Sequence, residues 1–150
     1  MFAIEKIVVG YDGSAGGKLA LEAAAAIALT FRARVTALWV HEPLPHYSDL
    51  PGEFEEQVEA VNEYYGKRER EVAQFAAENG TIIDCARRDG DPAKALTQFA
   101  DEGRFDLIVV GHSGHSELWG RLLGDTADRI ADHAHCSVLV VKPTETKTTA

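Results

Sequence analysis

Five short apolar runs, over residues 4–9, 35–40, 82–86, 107–110 and 137–141, alternate along this chain with longer stretches of helical spacing. Runs this short, apolar at successive rather than alternate positions, read as strands covered on both faces. Strands of that kind separated by helices belong to a parallel sheet with helices on either side, so the sequence predicts an α/β, doubly wound, five-stranded fold. At 150 residues the chain suits one domain over residues 1–150. A domain of that size buries roughly 70% of its unfolded surface around a single core.

The helical stretches carry their own start and stop signals. Ser14 is the expected N-cap of a first helix whose inner face holds Ala20, Ala24, Ile27 and Phe31. Pro43, Pro45 and Pro51 make residues 41–52 a loop. Beyond it Phe54, Val58, Val61, Tyr65, Val72 and Phe75 share one face of a second helix that runs to Asn79 and stops at Gly80. Asp91-Pro92 sets a capping carboxylate before a proline at the first helical position, with Ala93, Leu96, Thr97 and Ala100 inward. A last helix over residues 126–134 turns Ala127, Ile130, Ala131 and Ala134 inward, and the tail from residue 144 onward is expected to fray.

Composition narrows the function classes. A formal charge of −9 argues against nucleic acid or an anionic membrane surface as partner, because neutralising phosphates needs clustered Lys and Arg. No run approaches the roughly 20 apolar residues of a membrane span. Met1-Phe2-Ala3-Ile4-Glu5-Lys6 does not read as a signal peptide, and the expectation is a cytoplasmic protein. Two cysteines, Cys85 and Cys136, fit no zinc template and are expected to be free thiols; His133, His135 and Cys136 read as a helix end rather than a metal site.

Directly after the fourth run comes Gly111-x2-Gly114-x9-Gly124. Glycines at a strand-to-helix turn let backbone N–H groups approach a bound group, and the helix start behind them carries unpaired donors and partial positive charge. This spacing resembles the nucleotide-binding signature of the universal stress protein family, G-x2-G-x9-G followed by Ser or Thr. The likeness extends to Ile7-Val8-Val9-Gly10-Tyr11-Asp12-Gly13-Ser14, to Leu38-Trp39-Val40-His41 and to the closing His133-Ala134-His135-Cys136-Ser137-Val138-Leu139-Val140-Val141, and so spans essentially the whole chain. It implies a Rossmann-like strand order 3-2-1-4-5, with a ligand crevice between the C-terminal ends of strands one and four. In that order Cys85 and Cys136 lie at opposite edges of the sheet, out of disulfide reach.

The resemblance implies ATP or AMP as ligand. Asp12, beside Gly10, contacts the nucleoside, Val40 touches the adenine, and Gly111, Gly114 and Gly124 cradle the phosphates. Two readings of Asp12 stand: a ribose or adenine partner, or an Asp-Gly turn that bonds its own backbone. His112, Ser113, His115 and Ser116 offer donors to a polyphosphate or line a solvated loop, and Arg121 adds charge nearby. The departure is Asp125, which follows Gly124 where the family has a hydroxyl. Its carboxylate competes for the helix-start amides a phosphate would use. Two like charges about 4 Å apart repel by about 1 kcal/mol in water and about 4 kcal/mol near a protein surface, about tenfold to several-hundredfold in affinity. Magnesium bridging Asp125 and a phosphate offsets this, and Thr126 supplies a replacement hydroxyl.

Two near-misses are set aside. Gly17-Lys18 is not a P-loop, since Asp12 stands where its first glycine belongs and Leu19 where its Ser or Thr belongs. His115 likewise replaces the closing glycine of a nucleophile elbow at Gly111-His112-Ser113-Gly114. Two functions remain: a regulatory adenine-nucleotide-binding module with at most slow hydrolysis, or a nucleotide-independent stress or partner-binding protein of the same fold. The resemblance also implies a homodimer paired through strand five, where Val138-Leu139-Val140-Val141 would otherwise leave an apolar edge.

Overall fold

The computed structural model describes residues 1–43, 53–112 and 125–144. Five strands, β1 (Lys6–Gly10), β2 (Arg34–His41), β3 (Ile83–Asp89), β4 (Leu107–Gly111) and β5 (Ser137–Val141), form one sheet in the order β3-β2-β1-β4-β5. Every pairing is parallel. Four helices connect them: α1 (Ala15–Phe31), α2 (Glu53–Glu78), α3 (Pro92–Glu102) and α4 (Asp125–His133). The implied strand order is the observed one, and it sets Cys85 on one edge strand and Cys136 beside the other; both thiols are free.

Successive residues of β1 face opposite sides, as a pleated strand requires. Ile7 and Val9 join Leu21, Ala24 and Val72 in a core under α1 and α2, while Val8 joins Leu96, Ile108 and Ile130 in a second core under α3 and α4. The sheet therefore separates two apolar layers, which is why its inner strands read as unbroken apolar runs.

Several boundaries differ from the sequence reading for identifiable reasons. The first strand starts at Lys6 rather than at residue 4, because the Asp106 carboxylate takes the Glu5 and Lys6 amides at 2.8 and 2.9 Å. Strand three is displaced to Ile83–Asp89 and leaves Ile82 exposed. As an edge strand it tolerates the polar Arg87-Arg88-Asp89 end that apolar counting passes over. α1 is capped as expected, Ser14 Oγ accepting from the Gly17 amide at 3.0 Å, but its buried face ends at Ala28 and Phe31 is exposed.

Of the stripe expected on α2, Val72 is buried, Val61, Tyr65 and Phe75 are half-buried, and Phe54 and Val58 are exposed. The cause is length: 26 helical residues reach about 39 Å at 1.5 Å each, whereas an eight-residue strand spans about 26 Å. Gly80, at φ +62°, follows the helix as its stop. On α3, Asp91 caps the helix as expected and Ala93, Leu96 and Ala100 are buried. Thr97 is half-buried, its hydroxyl donating to the Ala93 carbonyl at 2.9 Å. On α4, Ala127 and Ile130 are buried and Ala134 is half-buried against them, but Ala131 is exposed, since one residue past Ile130 the helix has turned about 100° away. Among the described residues no helix is long and apolar enough to cross a membrane.

Candidate functional site

β1 and β4 are neighbours, yet the helix after β1 packs on one face of the sheet and the helix after β4 on the other. Their C-terminal ends thus part to leave a cleft of about 300 Å³. Its floor is apolar, from Leu38, Val40, Leu96, Val110 and Ile130, and its rim carries Asp12, Ser14, Glu42, His112 and Thr126. Asp12 and Glu42 are the charged residues among the described lining.

Six of the sequence-predicted site residues, Gly10, Asp12, Val40, Gly111, His112 and Thr126, meet along this one cleft. Asp125 is the first residue of α4, next to Thr126. Ser113, Gly114, His115, Ser116 and Gly124, with Arg121, lie outside the described residues. Sequence reasoning missed Gly16, Gly17, Glu42 and Pro92. The adjacent glycines at a helix start were a usable signal, and Glu42 follows Val40 by two residues.

Asp12 forms the turn that one of its readings expects and also stands on the cleft. Its Oδ1 accepts from the Ser14 amide at 2.9 Å, closing the turn, while the residue lines the cleft. Gly17 leaves the carboxylate its room, since a Cβ there would stand 2.8 Å from that oxygen. Gly111 has a further role that its spacing does not disclose. A Cβ on it would fall 2.2 Å from the Gly16 carbonyl oxygen, so the missing side chain lets the end of β4 sit against the start of α1. The His112 amide donates to Val141 at 2.9 Å and extends the β4 and β5 ladder.

Two polar clusters brace the cleft from outside. On the α1 and α2 side, Arg68 Nη1 donates to the Asp12 carbonyl at 3.1 Å and the Tyr11 hydroxyl donates to Glu71 at 2.8 Å. Burial first, and then the Glu71 carboxylate, push the Tyr11 phenol well above its ordinary range. On the other side Arg129 grips Asp91 with two hydrogen bonds of 2.9 and 2.7 Å, tying α4 to the cap of α3. Those bonds, with the Lys94 amide, hold the Asp91 carboxyl below its usual range. His133 Nδ1 lies 2.9 Å from the Arg129 carbonyl at the end of α4, the helix-end position expected of it. Among the described residues no three His, Cys, Asp or Glu side chains converge as a metal site.

An apolar floor with carboxylates at its rim suits a flat ring bearing hydroxyl or amino donors. Comparison with known proteins bears on the family of the chain. A universal stress protein of Methanocaldococcus jannaschii is 37% identical over 140 residues, covering 92% of this chain and 82% of the relative. Universal stress protein UspA from Lactobacillus plantarum superposes with a TM-score of 0.80 at 26% identity, over 93% of this chain and 98% of that one. A universal stress protein solved in complex with cAMP gives a TM-score of 0.70 at 29% identity, over 93% and 97% of the two chains. The model of the universal stress protein family matches residues 3–142. Sheet order, cleft and sequence agree over nearly the full length, and the chain belongs to the universal stress protein family.

Proposed function

We propose that this chain is a regulatory module that binds an adenine nucleotide, ATP or AMP, in the cleft between β1 and β4. The observation that carries the reading is the meeting of Asp12, Val40 and Thr126 on one cleft from three distant parts of the sequence. Leu38 and Val40 offer an apolar seat for the base, and the Asp12 carboxylate accepts from ribose hydroxyls or the base amino group. The unpaired amides that a helix start carries would serve the phosphates at α4, where magnesium would offset Asp125. The cAMP complex of a relative 29% identical supports an adenine ligand.

On this reading the protein is a single cytoplasmic domain that senses nucleotide, with at most slow hydrolysis. It pairs through β5, whose outer edge has no strand beside it among the described residues. Calorimetry with ATP, AMP and cAMP, each with and without magnesium, tests the binding. Saturable heat that Asp12→Ala weakens about tenfold is expected, the loss of one hydrogen bond to a charged group. No heat and no thermal stabilisation at millimolar nucleotide would reject it. A second reading, a nucleotide-independent partner-binding protein, is favoured by the acid already on the rim of the cleft, Asp12 and Glu42. Asp125→Ser separates the two, since relief of repulsion raises ATP affinity by about fivefold or more only if the phosphate sits there.

A further inference from the structure

Arg68 is the buried charged side chain among the described residues, 8% exposed in the middle of the charged run Lys67-Arg68-Glu69-Arg70-Glu71 on α2. Its guanidinium leaves that helix to grip the turn after β1. Nη1 donates to the Asp12 carbonyl at 3.1 Å, Nη2 pairs with Glu71 Oε1 at 2.7 Å, and Cζ stands 4.4 Å from the centre of the Tyr64 ring. Glu71 in turn accepts from Tyr11, the residue before Asp12. Gly13, at φ +83°, makes the approach possible: a Cβ on it would lie 2.2 Å from Nη1 and 2.6 Å from Cζ.

As a stabilising device this is poor. Taking a guanidinium out of water is costly, one carboxylate offsets that only in part, and Nε stays buried without a hydrogen-bond partner. Local costs of this kind gather where a fold must hold one loop in one conformation. The loop held here is the one whose next bond, Asp12 Oδ1 to the Ser14 amide, fixes the carboxylate at the cleft.

We infer that Arg68 is a positioning residue for the cleft: by holding the Asp12 carbonyl from the α2 side it fixes where the Asp12 carboxylate presents itself to a ligand. The inference rests on the cleft being the binding site. It also makes the seat of α2 and the affinity of the cleft a coupled pair, each biasing the other.

The test compares Arg68→Met, Arg68→Lys and Gly13→Ala with Arg70→Met, an exposed arginine on the same helix. Amide hydrogen exchange at Ser14, followed by nuclear magnetic resonance, reports the turn with no ligand present. Calorimetry with AMP reports the cleft. Arg68→Met should speed Ser14 exchange and weaken AMP, each about tenfold, as expected for one lost charge-assisted hydrogen bond. Amides of α3 and β5 should stay unchanged, Arg68→Lys should restore part of both effects, and Arg70→Met should produce neither. Gly13→Ala should move Ser14 in the same direction, by crowding the guanidinium and by its own strain at φ +83°. Unchanged Ser14 exchange overturns the inference, as does a rise shared equally by every amide. Should Arg68→Met fail to fold, Arg68→Lys decides by the same readings. Wild-type protein that binds neither AMP nor ATP rejects the nucleotide reading, and Ser14 exchange still decides the role of Arg68.

Discussion

Replacing Gly111 with alanine separates a glycine kept for chain packing from one kept for a ligand. The added Cβ would meet three Gly16 backbone atoms at 2.2, 2.4 and 2.8 Å, where ordinary contact begins at 3.4 Å. No rotamer relieves a clash with backbone, so α1 must retreat from β4 by about 1 Å or the strand end must bend. Overpacking of a rigid contact costs about 3 kcal/mol, the upper end of the usual range. In a protein of this size that lowers the melting temperature by about 6 to 12 °C, at 2 to 4 °C for each kcal/mol. The assay is thermal unfolding of ligand-free protein, with Gly66→Ala as control. Gly66 is inside α2, and its added Cβ would meet only the end of Arg70 at 3.4 Å, so alanine there should stabilise by about 0.5 to 1 kcal/mol. Gly111→Ala melting within about 1 °C of wild type would refute the packing argument.

Asp91→Ala should cost about 1 kcal/mol at neutral pH, the usual value of a lost N-cap. Folding depresses the Asp91 carboxyl, so its contribution is complete above the ordinary carboxylate range near pH 4 and fades as pH falls through the lower folded value; variant and wild type should converge in acid denaturation curves. Cys85 is pushed up to about 11, by burial first and then by Glu69 and Asp84. At pH 8 it should react with a disulfide reagent about a hundredfold more slowly than a free thiol, with a rate still climbing at pH 10. Leu139→Asp, at an exposed position of β5, should convert a dimer to a monomer in sedimentation velocity; a wild-type monomer would reject pairing through that strand.

The strands most legible in the sequence are the inner ones. β1 and β4 are wrapped on both faces, so residues such as Ile7, Val8, Ile108 and Val109 had to be apolar in succession. β3 was misjudged because an edge strand meets solvent and its Arg87-Arg88-Asp89 end carries no apolar signal. Phe31, Phe54 and Val58 failed for the complementary reason: periodicity says which way a side chain points, not whether the partner surface reaches that far. At the cleft, Asp12 and Val40 were legible through the family resemblance and Thr126 through its place beside the glycine motif, and the fold sets all three on one cleft. Arg68 was not, since in sequence it is one basic residue among several on a charged helix, 56 positions from the carbonyl it holds. Gly111 was marked for its place at the cleft, but its contact with the backbone of Gly16 was invisible without the fold.

Among the described residues the two apolar layers lie on opposite faces of one sheet, and each is fastened separately, by Arg68 on one side and by Asp91 with Arg129 on the other. The cleft is where α1 from one layer and α3 and α4 from the other stand exposed to the same guest. A ligand bound there would act as a rivet through both halves, so that loosening of either half would weaken its hold.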